Sequence, residues 1–221
     1  MLNEIIKSWE ENASEWIKSM DTEAIPSRRF TNKAILELIA KTNSKKIIDI
    51  GCGEGWLTRA LNQNGKVCTG IDANSELLQH ARSKGTEEYH QLSFEAIEDG
   101  VPIPGAPYQL AVLNFCLYYE NIQPLLEKVV RQIDGKGICI IQTLHPYFLV
   151  QSGKPYRNQW IENSWAGLPG NFKNGHSWFA RTFEGWSEVL NKIENTSFSF
   201  QEVVDDHKKP ISLIIQINKI V

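Results

Sequence analysis

Ile47-Ile48-Asp49-Ile50-Gly51-Cys52-Gly53-Glu54-Gly55 sets an apolar run around one aspartate and then alternates three glycines with Cys52 and Glu54. The apolar half predicts a short buried strand. The glycines predict a loop where the backbone bends tightly or lets another group come close. Helical spacing returns in Trp56-Leu57-Thr58-Arg59-Ala60-Leu61. Strand, glycine loop and helix N-terminus together read as a cradle for a ligand.

Working outward, the same alternation repeats. Upstream, Leu2, Ile5, Ile6, Trp9, Ala13, Trp16, Ile17 and Met20 recur at three- and four-residue steps and predict an amphipathic helix that ends before Pro26. A second helix carries Ala34, Ile35, Leu38 and Ile39 on one face and ends around Lys41 to Ser44. Downstream, strands are expected at Lys66–Ile71, Tyr89–Leu92, Gln109–Asn114 and Ile138–Thr143, with helices at Ser75–Ser83 and Pro124–Ile133, the latter ended by Gly135 and Gly137. Apolar strands alternating with helices predict a parallel sheet covered on both faces. The alternation lapses over 146–180, a stretch rich in Trp, Tyr and Phe with interspersed Gly, Pro and Asn. Such a segment is either a cover over a site or a small separate core under a loop. A helix at Phe183–Ile193 and two alternating strands, Phe198–Val204 and Ser212–Asn218, close the chain as an antiparallel pair.

The spacing of the glycines separates two kinds of cradle. A dinucleotide fingerprint needs G-x-G-x-x-G, and a nucleotide P-loop ends in G-K-[ST]. Here the pattern is G-x-G-x-G after an aspartate. Asp49-Ile50-Gly51-Cys52-Gly53-Glu54-Gly55 resembles motif I of the class I S-adenosylmethionine (SAM) dependent methyltransferases. Trp9-x-x-Asn12-Ala13-x-x-Trp16, Ser27-Arg28-Arg29, Thr143-Leu144-His145-Pro146, Phe179-Ala180-Arg181-Thr182-Phe183 and Pro210-x-Ser212-Leu213 extend the likeness to a small-molecule, ubiquinone-biosynthesis-like subgroup. The resemblance implies an α/β, Rossmann-like, seven-stranded and mostly parallel sheet with an antiparallel last strand and helices on both faces. It also implies one methyltransferase domain over 1–221, with 1–44 as an N-terminal helical cap and 146–180 as an insertion over the acceptor site.

In an open parallel sheet, ligands sit beyond the carboxyl ends of the strands. Those ends are Asp49 to Gly55, Asp72, Ser93, Asn114 and Thr143 to His145. The resemblance implies that Gly51, Cys52, Gly53 and Gly55 lie against the cofactor. It also implies that Asp72, with Ala73 beside it, accepts the ribose hydroxyls. An N-cap for the following helix would equally explain Asp72. Ser93, or Glu95 in a shifted register, stands where relatives meet the adenine amine and Phe94 would lie on an adenine face; simple strand-to-loop packing is the alternative. Asn114 ends its strand where relatives hold the methionine amino group; a local hydrogen bond closing the turn is the other reading. Asp49 either helps hold that amino group or caps a loop. Arg28 or Arg29 would bind the cofactor carboxylate or an acidic substrate. Tyr118, Tyr119 and Tyr147 would line the acceptor pocket, and Arg181 would anchor an anion. His145 is the candidate general base if the acceptor must lose a proton; an extended His-Pro turn is the alternative.

Composition narrows the partners. A chain of 221 residues with 42% hydrophobic content is long enough for one α/β core. The net charge of −3 and the absence of a dense basic run argue against a large nucleic-acid footprint. Apolar runs are too short for a bilayer, and Met1 to Lys7 lacks the pattern of a signal peptide, so a cytoplasmic protein with no membrane partner is expected. Cys52, Cys68, Cys116 and Cys139 show no C-x-x-C and the histidines no H-x-x-x-H, so neither disulfides nor a metal is expected. The expected activity is methyl transfer from SAM to a small molecule, on O, N or C. The alternatives are a SAM-binding protein without transferase activity and an RNA or protein methyltransferase. Asn114-Phe115-Cys116-Leu117 replaces the N-P-P-[YF] motif of enzymes that methylate amide or exocyclic nitrogens.

Overall fold

The computed structural model describes residues 2–220, without the side chain of Leu2. Helices α1 (Leu2–Asp21) and α2 (Arg28–Ala40) precede β1 (Lys46–Ile50), α3 (Trp56–Gln63), β2 (Val67–Asp72), α4 (Ser75–Lys84) and β3 (Tyr89–Gln91). Then follow α5 (Phe94–Glu98), β4 (Tyr108–Asn114), α6 (Gln123–Arg131) and β5 (Ile133–Leu144). The aromatic stretch holds α7 (Tyr147–Gln151), β6 (Gln159–Ile161) and β7 (Trp178–Ala180), and α8 (Phe183–Leu190), β8 (Thr196–Val204) and β9 (Pro210–Lys219) complete the chain.

Seven strands form one sheet in the order β3-β2-β1-β4-β5-β9-β8. β3, β2, β1, β4 and β5 pair in parallel, and β9 runs antiparallel to both β5 and β8. The order reverses between β1 and β4, so a crevice opens beyond their carboxyl ends.

The period-two alternation of the strands distributes their residues between two cores. On one face Ile47, Leu110, Val112, Ile140 and Ile214 pack with Ile35, Ile39, Leu57 and Leu61 of α2 and α3. On the other, Ile48, Ile50, Ala111, Leu113, Ile141 and Ile215 pack with Ile97, Leu125, Val129, Trp186 and Leu190. Asp49 lies between Ile48 and Ile50, so it faces α3 with Ile47. There Thr58 Oγ1 donates to its Oδ2 at 2.8 Å.

Three local expectations are corrected. α6 ends at Arg131, and Gly135 and Gly137 belong to β5 rather than to a helix stop. A side chain at Gly137 would place its Cβ 2.9 Å from the Gln109 carbonyl oxygen, so glycine there permits the close approach of β4. A short helix, α5, stands where strand-to-loop packing was one reading, because the Ser93 hydroxyl caps it by accepting from the Ala96 N–H at 3.2 Å. The aperiodic stretch 146–180 contains α7 and a two-stranded sheet, β6 with β7.

Part of that stretch docks on α1. Asn12 donates to the Lys173 carbonyl at 2.7 Å and accepts the Lys173 N–H at 2.8 Å. Trp165 Nε1 donates to Ser8 Oγ at 2.9 Å, and its ring stacks on Phe172 and meets Trp9 edge-on. The buried polar face of α1 is therefore the seat of the aromatic segment, while Ile5, Ile6, Trp9 and Trp16 turn toward the crevice.

Candidate active site

At the switch point the glycine loop is held from behind. The N–H groups of Gly51 and Cys52 both donate to the Ile71 carbonyl, at 2.8 and 2.9 Å. A Cβ on Gly51 would lie 2.7 Å from Cys116 Cβ, so here the loop after β1 presses on the loop after β4. Gly53 differs. Its φ is +56°, and a Cβ there would meet only Trp16 Nε1, at 3.9 Å. Asp72, at the end of β2, accepts the Gly53 N–H on Oδ2 and the Asn74 N–H on Oδ1, each at 2.8 Å. Burial raises its pKa from the ordinary aspartate value, against the pull of those backbone bonds.

These elements enclose a cavity of about 940 Å³ including its mouth, a size suited to a small-molecule site. Gly51, Cys52, Gly53, Glu54, Asp72, Ala73 and Asn74 form its floor. Leu77, Phe94 and Glu95 close one end, and Asn114, Phe115, Cys116, Tyr118 and Tyr119 the side. Ile5, Ile6, Trp9, Glu10 and Trp16 of α1 cover it, with Arg28 and Trp56 beside them.

Three features of this wall invite a ligand. Asn114 Oδ1 is buried without a hydrogen-bond partner among the described residues. Arg28 lies between the rings of Trp16 and Trp56, 5.2 and 5.6 Å from their centroids, and its side-chain hydrogen bond to Asn32 is long, 3.5 Å. Burial lowers its pKa. Phe115 holds φ at +52°, a conformation uncommon for a non-glycine residue and often found where a site is built. Glu54, also in the wall, is neutralised by Arg59 at 2.9 Å.

A second cavity, about 870 Å³ including its mouth, adjoins the first. The two share Trp9, Trp16, Arg28, Phe115 and Tyr118. Its far side comes from Ser164, Trp165, Leu168, His176 and Trp178.

The structure thus brings Gly51, Cys52, Gly53, Asp72, Ala73, Phe94, Asn114, Arg28, Tyr118 and Tyr119 to one cavity. Asp49 and Gly55 lie behind its floor: Asp49 bonds Thr58, and Gly55 packs under Tyr89. Ser93 caps α5. Arg29 is exposed and pairs with Asp206 at 2.5 Å. His145 is buried and lines neither of these two cavities, although Thr143 and Leu144 before it line the second; its Nε2 lies 2.9 Å from Glu202 and its Nδ1 accepts the Tyr147 N–H at 3.0 Å. The Tyr147 side chain is exposed. Arg181 donates to the carbonyls of Tyr119 and Glu120, so it braces the loop behind Tyr119 instead of facing either cavity. His176 and Trp16 are wall residues that periodicity did not single out as site residues; the docking of 164–176 on α1 puts His176 there.

The family follows from a match over most of the chain. A family model described as a methyltransferase domain matches residues 24–188. The chain belongs to the methyltransferase-domain family. It is 23% identical over 159 residues to a demethylmenaquinone methyltransferase of Tropheryma whipplei (strain Twist), covering 71% of this chain and 66% of that one. It is 27% identical over 168 residues to a ubiquinone biosynthesis O-methyltransferase of Rickettsia bellii (strain OSU 85-389), covering 72% and 63%. The chain spans just under two thirds of the length of these curated relatives. Among solved structures, a DhpI–SAH complex aligns with a TM-score of 0.68 at 15% identity, over 99% of this chain and 96% of that one. The plantazolicin methyltransferase BamL, in complex with a triazolic desmethylPZN analogue and SAH, gives 0.68 at 13%, over 98% and 96%. At such identities the structural likeness is one of fold, and it establishes the Rossmann-like methyltransferase architecture for this family member. Among the described residues, no helix is long and apolar enough to cross a membrane.

Proposed function

We propose that the chain is a SAM-dependent methyltransferase acting on a small-molecule acceptor. One observation carries the reading: the glycine loop, Asp72, Asn114 and Arg28 converge on a single cavity at the sheet's switch point. The curated relatives are named as methyltransferases, which supports it.

The donor set fits the cofactor. Beyond the two backbone bonds it accepts, the Asp72 carboxylate keeps lone pairs for ribose hydroxyls. The unpartnered Asn114 Oδ1 suits an amino group, and Arg28 suits a carboxylate. Phe94 and Leu77 offer apolar surface to a purine. The vacant side of Gly53 lets backbone lie against the ligand. Bound there, SAM supplies an electrophilic methyl group on a sulfonium.

The chain's own share is positioning. Trp9, Trp16 and Tyr118 line both cavities, and their ring faces suit a sulfonium cation. Holding donor and acceptor in contact where the two cavities meet, and excluding water there, supplies the acceleration such a displacement needs. His145 has both ring nitrogens engaged and takes no part in this reading. The acceptor is small rather than a nucleic acid, because the second cavity is enclosed mainly by aromatic and apolar residues. The four cysteines are free, which suits a reducing cytoplasm, and residues 2–220 act as one domain built on the seven-stranded sheet.

Calorimetry tests the reading. Folded protein should bind SAM and S-adenosylhomocysteine (SAH) in the micromolar range. Folded wild type that binds neither would sink it.

A further inference from the structure

His176 lies in the wall of the second cavity and is 5% exposed. Its Nε2 is buried and has no hydrogen-bond partner among the described residues. The rest of the ring is fixed. Nδ1 lies 3.0 Å from Ser164 Oγ, and the Ser164 N–H donates to the His176 carbonyl at 2.8 Å. The ring meets Tyr118 edge-on at 5.2 Å and Trp165 edge-on at 5.7 Å. So an oriented imidazole leaves one nitrogen unused, in the cavity that adjoins the one assigned to the cofactor. Buried polar atoms of folded proteins are nearly always paired, and an exception in a cavity wall points to a ligand.

We infer that the second cavity is the acceptor subsite, that it takes a ring-bearing small molecule with a hydroxyl group, and that His176 Nε2 accepts that hydroxyl's proton. The inference rests on the first cavity holding SAM. The ring-bearing body follows from the walls: Trp9, Trp16, Phe115, Tyr118, Trp165 and Trp178 offer flat apolar surface. The hydroxyl follows from the base. Burial holds the His176 pKa at about 4, so the ring is neutral at pH 7 and Nε2 is free to accept if Nδ1 donates to Ser164. An imidazole weakened in this way cannot ionise a carbon acid, and a neutral amine needs no base to expose its lone pair. A hydroxyl oxygen, in contrast, becomes strongly acidic as its bond to carbon forms, so a weak, well-placed base suffices.

The step balances. The acceptor oxygen forms a bond to the methyl carbon while the carbon–sulfur bond breaks and its electron pair stays on sulfur. The hydroxyl proton passes to His176 Nε2 and then to solvent. Positive charge lost at sulfur reappears on the imidazole during the transfer, and it leaves the site only when that proton passes to solvent.

Long-range ¹H–¹⁵N NMR at pH 7 with SAH present tests this, the His176 resonances being assigned by comparison with His176→Gln. His176→Asn serves for the assignment if the glutamine variant does not fold. The expected result is a neutral ring protonated on Nδ1, whose Nε2 resonance moves when 2-naphthol is added. A charged ring, an Nε2–H tautomer, or no movement up to the solubility limit of 2-naphthol overturns the inference. Calorimetry with SAH on the same samples separates the two claims. Wild type that binds no SAH fails the reading of the first cavity, whereas normal SAH binding with the wrong tautomer fails this inference alone.

Discussion

The Gly53 N–H donates to Asp72 Oδ2 at 2.8 Å, so the acid that ends β2 also holds the middle of the glycine loop. Its other oxygen accepts the Asn74 N–H at the start of α4. One carboxylate thereby sets the spacing of loop and helix before any ligand arrives. Asp72→Ala removes both the ribose partner and this brace. SAH affinity should fall at least tenfold, about 1.4 kcal/mol. Denaturant unfolding should show a loss of about 2 kcal/mol, from two backbone donors left without their acceptor. Affinity that stays within twofold of wild type would remove Asp72 from the cofactor site.

Gly51 and Gly53 both hold left-handed backbone, at φ +72° and +56°, but different surroundings separate their roles. Gly51→Ala forces a methyl against Cys116 and should cost stability on two counts. Left-handed alanine costs about 1–2 kcal/mol, and overpacking adds about 1–3 kcal/mol. Gly53→Ala meets no such neighbour and should lose only the first amount, about 1–2 kcal/mol. Its methyl enters the cavity, so SAH affinity should fall at least tenfold in a protein that still folds. Unfolding midpoints and calorimetry on the two variants check the contrast; equal SAH binding by Gly53→Ala and wild type would place that face of the loop away from the ligand.

What the sequence made legible was local. The run Ile47–Ile50, the alternating glycines and the return to helical spacing at Trp56 act over a few residues, and each emerged where periodicity placed it. Asp72 and Asn114 could be named because strand ends are marked by a change in pattern, whereas Arg28 could be named only together with Arg29, from the resemblance of Ser27-Arg28-Arg29. Asp49 shows the limit. Both of its readings fit the motif, and what separates them is which side of β1 it faces, a matter of alternation with Ile48 and Ile50 against two different cores. His176 shows why the rest was hidden. No spacing marks it, and its place depends on the bonds Trp165–Ser8 and Lys173–Asn12, which join residues more than 150 positions apart. Helix α5 is five residues long and rests on the Ser93 cap, too short for a period to register.

Asp49 should give the protein a pH-dependent stability of unusual sign for an aspartate. Burial above all, with Glu54 and Asp72 nearby, raises its pKa to about 7 in spite of the Thr58 hydroxyl. Unfolded, it ionises near 3.9, the ordinary value. Between these values the folded protein carries a proton that the unfolded chain lacks, so this contribution falls as pH rises from about 4 to about 7 and is flat above. Asn in its place never ionises and still accepts from Thr58. Asp49→Asn and wild type should therefore converge near pH 4, and the variant should be more stable at pH 8 by up to about 4 kcal/mol. His176, held at about 4 by burial, gives an opposite slope in both proteins, and it cancels in their difference. Urea unfolding across this range measures that difference; a gap that does not widen between pH 5 and pH 8 would mean Asp49 ionises normally.

Arg28 is a cation with a pocket on either side and, among the described residues, no ion pair of its own. Two indole rings flank it, Trp16 from α1 and Trp56 from the start of α3, so it also joins the N-terminal cap to the cradle. A largely desolvated charge with no ion pair, only partly offset by the field of Glu54, costs stability, and replacing it by an apolar side chain of similar length removes that cost. Arg28→Met should leave the melting temperature unchanged or raise it. If the guanidinium meets the cofactor carboxylate, SAH should bind the variant at least tenfold more weakly. Methylthioadenosine, which has the nucleoside but no amino-acid end, should bind both proteins alike. Calorimetry with the two ligands thus assigns Arg28 to one end of the molecule. Equal losses for both would put it at the nucleoside or in the loop's support. No loss for either would leave its charge facing the second cavity, where an acceptor with an acidic substituent would be its partner.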